Sequence, residues 1–210
     1  MFAPILAEAI AATTAKLNET LGTNCTIRVH RALNDPLIET ILQVDAYKFR
    51  QELQYRRDEV IEHSLSPGFI LITAECGTEP LGIVYGYDEP DGGFFLDTLA
   101  SMVEGRGIGH MLATLVTIHA ENTGHKHVTL YTEEQDEKGR LLRRFYQKMG
   151  FTYLGTEPDK GDIMKMQLTP EETTGLFARY VAKPQNPPTA TQPTLNKNIT
   201  QTPQPIPCNS

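Results

Sequence analysis

The spacing of apolar residues changes repeatedly along the chain, and each change marks a new element. Ile5, Leu6, Ile10 and Leu17 fall on or near one face of an amphipathic helix over residues 4–20. Residues 26–33 alternate through Ile27, Val29 and Arg31, which reads as a strand. Asn34-Asp35-Pro36 then supplies an N-cap and a first-turn proline, and Leu37, Ile38, Ile41 and Leu42 follow at helical spacing. A more charged helix is expected over residues 52–64, ended by Ser66-Pro67-Gly68. Beyond it the apolar stretches at 69–75 and 81–87 flank Cys76-Gly77-Thr78-Glu79-Pro80, a hairpin signal. After Asp91-Gly92-Gly93 a strand is expected over 94–100, then a helix from Ile108 through Met111, Leu112, Leu115 and Ile118. The pattern closes with a strand at 127–132, a helix at 138–149 carrying Leu141, Leu142, Phe145 and Met149, and strands at 151–155 and 163–168. Hairpins first and βαβα later predict a mixed-sheet α/β or α+β domain.

Residues 184–210 break this order. They are rich in Pro, Thr, Gln and Asn and hold almost no large apolar side chains, so they are expected to be disordered. The expected division is a helical extension at 1–25, a domain at 26–169, a short helix at 170–183 and the tail. A chain of 210 residues suits one domain with additions. Its net charge of -7 disfavours a nucleic-acid partner and suits a cationic one. Cys25, Cys76 and Cys208 are odd in number, far apart and outside any metal-ligand spacing. They indicate a reduced, cytoplasmic protein with no metal. No apolar run approaches the ~20 residues of a membrane span, and the alanine-rich start lacks the basic region of a signal peptide.

Two segments carry candidate chemistry. The first runs Leu99-Ala100-Ser101-Met102-Val103-Glu104-Gly105-Arg106-Gly107-Ile108-Gly109-His110, a strand end, a glycine loop and a helix start. Free N–H groups and the positive end of the dipole make a helix start an anion site, and glycines let a phosphate approach them. The third glycine comes too early for a dinucleotide fingerprint, and no Lys-Ser/Thr follows as in a P-loop. A tight strand-to-helix turn without a ligand fits the same residues. The second segment is Arg144-Phe145-Tyr146-Gln147-Lys148-Met149-Gly150-Phe151, a helix end with Gly150 as its left-handed cap.

Together the two segments resemble the GNAT superfamily of acyl-CoA-dependent N-acetyltransferases. Its Gln/Arg-x-x-Gly-x-Gly/Ala motif is similar to Glu104 to Gly109, and its Tyr-x-x-x-Gly-Phe to Tyr146 to Phe151. The hairpin at 69–87, with Gly82, looks like the family's second and third strands. Glu104 departs from the family's Gln or Arg, and Gly139 stands where an Asn often opens the later helix.

The resemblance implies a mostly antiparallel mixed sheet of six to seven strands, helices on both faces and splayed central strands at 94–100 and 127–132. It implies acetyl-CoA or another acyl-CoA held by Leu99, Ala100, Ser101 and the loop Glu104, Gly105, Arg106, Gly107, Ile108, Gly109 and His110. Gly139 sits at the start of the later helix, and Arg143 or Arg144 would reach the 3′-phosphate or merely solvate that helix. An acceptor amine, a small molecule or a peptide, would attack the thioester directly, with Tyr146 as the acid for the departing thiolate. For the base, Asp97, Glu133 and Glu134 are open alternatives. His125 and His127 read as surface residues, and His119 as a structural histidine. Tyr47, Phe49 and Tyr55 would line the acceptor side. A non-catalytic acyl-CoA-binding or interaction module on the same fold is the competing reading, and a monomer and a homodimer are both compatible.

Overall fold

Seven strands form a single sheet in the order β1-β2-β3-β4-β5-β7-β6 in a computed structural model that describes residues 4–136 and 138–182. The tail at 184–210 lies outside the described residues. Strands β1 (Cys25–His30), β2 (Ile70–Cys76), β3 (Glu79–Asp88) and β4 (Phe94–Ser101) pair antiparallel in sequence order. Strands β5 (His127–Thr132), β6 (Thr152–Glu157) and β7 (Gly161–Gln167) form a second antiparallel group, with β7 between the other two. The groups meet where β4 runs parallel to β5, and that contact is confined to Phe94↔Val128 and Phe95↔Thr129.

Helices cover both faces. On one, α4 (Ile108–Asn122) is buried without a break from Met111 to Ala120, because it lies between the sheet and α1 (Leu6–Leu21), α6 (Pro170–Leu176) and the π-helical turn Phe177–Ala182. A Cβ at Gly82 would come within 2.7 Å of the Ala100 carbonyl oxygen and 2.9 Å of Leu112 Cδ1, so glycine there lets α4 approach β3. On the other face, α2 (Asp35–Lys48) and α3 (Arg57–Ser64) bury Ile38, Ile41, Val44 and Val60 against Leu71, Ile83 and Tyr85. Asn34 caps α2 as its sequence suggests, accepting from Leu37 N at 3.0 Å.

Two helices begin later than their apolar periodicity predicts. Residues 51–56 form a 3-10 turn and an extended piece, and α3 starts at Arg57. Tyr55 N donates to Asp45 Oδ2 at 3.2 Å and Gln54 Nε2 to the Phe49 carbonyl at 2.7 Å, contacts a continuous helix would break. Likewise α5 spans only Leu142–Lys148. Before it Asp136 Oδ1 accepts from Lys138 N and Arg140 N, both at 2.9 Å, and Gly139 takes a φ of 72°. Local side-chain bonding to the backbone outweighs the helical pattern of residues 138–141.

Candidate active site

The single parallel contact opens the sheet. β4 stays paired with β3 as far as Ser101, yet from Leu96 onward it has no β5 partner, so a cleft runs beside Leu96 to Ser101. The chain leaves this cleft through Glu104 to Gly107 and enters α4 with Gly105 at φ 71° and Gly107 at φ 74°, values that favour glycine. The starts of α2 and α6 are capped by the side chains of Asn34 and Thr169. That of α4 has no side-chain cap and no acid in its first turn. Its free N–H groups at the mouth of the cleft can receive an anion.

Glu104 stands beside this anion site but is neutralised. Lys138 Nζ donates to both its oxygens at 2.8 Å, Arg140 Nη1 to Oε2 at 3.2 Å, and Lys48 Nζ lies 3.7 Å from Oε1. Lys138 above all holds the carboxyl below its ordinary range. Arg106 is exposed at the tip of the loop. The His110 ring stacks on Tyr180 at 4.5 Å and contacts Phe145 at 4.3 Å, and burial lowers its pKa to about 4. His110 is therefore a neutral packing group at physiological pH.

A cavity of about 410 Å³ lies between the start of α4 and α5, lined by His110, Gly139, Leu141, Arg144, Phe145 and Lys148. Arg143 is committed elsewhere. Its Nε and Nη2 donate to Asp162 Oδ2 at 2.9 and 2.7 Å, and its guanidinium sits 3.9 Å over Tyr153. Arg144 borders both this cavity and a neighbouring one of about 240 Å³, so it is the better-placed cation.

On the α2/α3 face, beside the cleft, lies a buried polar cluster. The β3–β4 register jumps from Tyr85↔Thr98 to Gly86↔Leu96, which makes Asp97 the extra residue of a β-bulge. Strict alternation would place Leu96 and Ala100 on one face. Instead Leu96 joins the α4-side core and Ala100 the α2-side core. The Asp97 side chain is 1% exposed; Tyr55 Oη donates to its Oδ1 at 2.7 Å, and His63 Nδ1 lies 2.8 Å from its Oδ2 outside hydrogen-bond alignment. Asp97 raises the pKa of His63, whose side chain keeps 23% exposure. The His63 ring packs at 4.9 Å from Tyr55 and 5.7 Å from Tyr87. Periodicity alone gave no reason to place His63 here, since α3 meets β4 only in the folded chain.

Asp45 closes the cluster from α2. It is 1% exposed with Oδ1 unpartnered, and burial pushes its pKa up to about 6. The folded protein thus holds that proton more tightly than the unfolded chain. Stability falls as pH rises from the usual carboxylate range, ~4, to about 6, and is flat above. Asp45→Asn is expected to remove this slope and to stabilise the protein at pH 8 by about 1–3 kcal/mol, read by thermal melts from pH 4 to 8. A variant whose melting temperature keeps the wild-type pH slope would contradict this.

Tyr146, on α5, is 8% exposed and packs edge-on against Phe145 at 5.0 Å and Phe151 at 5.6 Å. Burial raises its pKa above the ordinary tyrosine value, and its hydroxyl has no hydrogen-bond partner among the described residues. Glu133, just past β5, pairs with Arg50 Nη2 at 3.3 Å and is half exposed. Phe49 and Tyr55 pack at the edge of the α2-side core, whereas Tyr47 is 70% exposed. His119 is structural as expected, buried 3.2 Å from Arg31 Nη1. His127 is not a surface residue: it is 6% exposed, because β5 enters the sheet beneath the β3–β4 turn. His125 is largely covered as well and pairs with Asp88 Oδ1 at 2.9 Å.

The family described as "Acetyltransferase (GNAT) family" matches residues 35–151, more than half of the chain. No curated protein matches in sequence. Among solved structures, PaiA N-acetyltransferase from Thermoplasma acidophilum in complex with coenzyme A is 17% identical, with a TM-score of 0.55 over 68% of this chain and 99% of that one. The aminoglycoside 6′-N-acetyltransferase of Enterococcus faecium is 20% identical, with a TM-score of 0.56 over 67% and 96%. The ribosomal-protein-S18-alanine N-acetyltransferase of Escherichia coli is 10% identical, with a TM-score of 0.55 over 69% and 95%. At these identities the three share the fold.

Proposed function

Since that match spans more than half of it, the chain belongs to the GNAT acetyltransferase family, and we propose that it moves an acetyl or other acyl group from acyl-CoA to a primary amine. The observation that carries this reading is the uncapped start of α4 opening onto the unpaired edge of β4. The helix N–H groups suit a pyrophosphate, and the edge from Leu96 to Ser101 suits an extended arm bearing amides. Arg144 and Lys148 at the adjoining cavity suit a further phosphate. Bound acyl-CoA supplies an activated thioester.

The chain's own groups do the rest. Backbone N–H groups among Leu99, Ala100 and Ser101 face the developing charge on the thioester oxygen. His63, oriented and made more basic by Asp97, takes the proton of the attacking ammonium. Asp97 itself is sealed beneath Tyr55 and His63, so it is a positioning residue. Glu133, with its carboxylate on Arg50, shapes the rim of the acceptor side. Tyr146 protonates the departing thiolate. Burial keeps the hydroxyl protonated and makes it a weaker acid than an exposed tyrosine, so its use as donor rests on its position on α5 rather than on its pKa.

The acceptor is a cation before reaction, drawn by the carboxylates of this face and the net charge of -7. The E. faecium and E. coli neighbours are named for an aminoglycoside and for a ribosomal-protein alanine, and both kinds of acceptor offer such an amine. Of the two departures that favour a catalytically silent acyl-CoA-binding module, Glu104 is neutralised by Lys138, Arg140 and Lys48, while Gly139 still stands where the family often has Asn.

Calorimetric titration with coenzyme A tests the site. Gly107→Val places a side chain at the phosphate position and is expected to weaken binding roughly tenfold to hundredfold, the worth of one or two charge-assisted hydrogen bonds. Gly22→Val imposes similar backbone strain, φ 66°, at the far end of α1 with open space around its Cβ. It should keep wild-type affinity. Equal affinity in both variants, or no binding by the wild type, would overturn the assignment.

A further inference from the structure

At the opposite end of β4 from the α4 loop, three side chains from distant parts of the sequence converge. Glu89 and Asp91 lie in the turn between β3 and β4, and His127 is the first residue of β5. His127 Nε2 stands 3.3 Å from Asp91 Oδ2 and 3.7 Å from Glu89 Oε2, and all three ligand-type atoms lie within 4.8 Å of one another. We propose that Glu89, Asp91 and His127 form a binding site for a divalent transition metal ion, with zinc the best match.

The His127 side chain is 8% exposed and that of Glu89 25%. His127 Nε2 and Glu89 Oε2 are both buried without a hydrogen-bond partner. Leaving two buried polar atoms unsatisfied destabilises the fold, unless a group between them bonds to both. The imidazole is aimed at the two carboxylates rather than at a backbone group.

Geometry narrows the choice of occupant. Zinc binds imidazole nitrogen and carboxylate oxygen at ~2.0–2.1 Å in a tetrahedron, whose ligand-to-ligand edge is then ~3.4 Å. The two separations from His127 Nε2, 3.3 and 3.7 Å, bracket that edge. One nitrogen and two oxygens leave a fourth position, and the 62% exposure of Asp91 opens it to solvent. An imidazole ligand argues against calcium and magnesium, which prefer all-oxygen shells.

The scaffold is preformed. Glu89 N donates to the Gly93 carbonyl at 2.8 Å, and Gly93 N to Asp91 Oδ1 at 3.0 Å, which leaves Oδ2 turned toward the histidine. Lys126 N bonds the Gly92 carbonyl at 3.2 Å and ties the turn to the approach of β5. A Cβ on Gly93 would sit 2.2 Å from His127 Nε2, so only glycine lets the ring in. Lys165 Nζ lies 4.0 Å from Asp91 Oδ2, too distant for a hydrogen bond. A bound ion would staple the β3–β4 turn to the start of β5, next to Phe94↔Val128. The site is therefore structural, roughly 20–25 Å along β4 from the α4 loop.

The test uses the full chain, free of any histidine tag and stripped with chelator. Zinc chloride is titrated in competition with a chromogenic chelator, and cobalt(II) is added separately to report geometry by its visible absorption. One equivalent of zinc is expected to bind and raise the melting temperature, reversibly on chelation, and cobalt should show tetrahedral bands. Asp91→Asn, at an exposed position that leaves the fold intact, should weaken zinc binding at least about tenfold, as should His127→Gln. Coenzyme A affinity should be unchanged in Asp91→Asn. Absence of stoichiometric zinc binding by the wild type would show that His127 is simply ion-paired and would overturn the site. So would wild-type zinc affinity in Asp91→Asn.

Discussion

Tyr146→Phe is expected to lower kcat by about 10²–10⁴-fold, the usual worth of a positioned general acid. KM and coenzyme A affinity should hardly change, because the proposed anion site lies on α4 and the tyrosine on α5. Stability should hold as well. The hydroxyl makes no hydrogen bond among the described residues, and the ring contacts with Phe145 and Phe151 survive in phenylalanine. A defect in kcat alone marks an interaction made in the transition state. Wild-type turnover by a folded Tyr146→Phe protein would remove the tyrosine from the mechanism and leave the acid to water.

The second large effect is expected at the bulge. Asp97→Asn keeps an oxygen for the Tyr55 hydroxyl but removes the charge that makes His63 more basic. A base must be neutral to act, so wild-type kcat/KM should rise with pH through a limb above 6.5, the ordinary histidine value. In Asp97→Asn burial is the main influence left, and it lowers the His63 pKa. The limb should then shift to lower pH while its plateau falls by about 10²–10⁴-fold. Linkage gives a second signature. The pair stabilises the fold fully below the unfolded histidine pKa, and that contribution is lost as pH rises through the higher folded value. The variant should therefore be most destabilised in acid and nearly wild-type in alkali. His63→Gln should abolish the limb. An unmoved limb in Asp97→Asn would mean that the cluster only holds α3 to β4.

What the sequence disclosed and what it hid divide along physical lines. The glycine loop before α4 and the Tyr146 to Phe151 segment were legible as local structure because each depends on local backbone chemistry: glycines at a helix start and a left-handed cap. All seven strands were legible, the first as apolar alternation and the others as short apolar or strand-like runs bounded by turns or helices. The late starts of α3 and α5 were not, since Asp45 and Asp136 override helical spacing through bonds that no periodicity records. Arg143 and Arg144 look equivalent in sequence, and only the position of Asp162 separates them. His63 and His127 were missed for the same reason. The partners that give each its chemistry lie on other elements and meet it only through the tertiary fold.

The narrow junction between β4 and β5 also gives the sheet a mechanical character. Four strands form one plate and three another, and two residue pairs are the hinge line between them. Every other strand pairing lies within a plate, and α4, packed on β3, β4 and β5, spans the junction. The two plates are thus tied at the Glu89, Asp91 and His127 end of β4 and untied at its Ser101 end, which is where the mouth of the cleft lies.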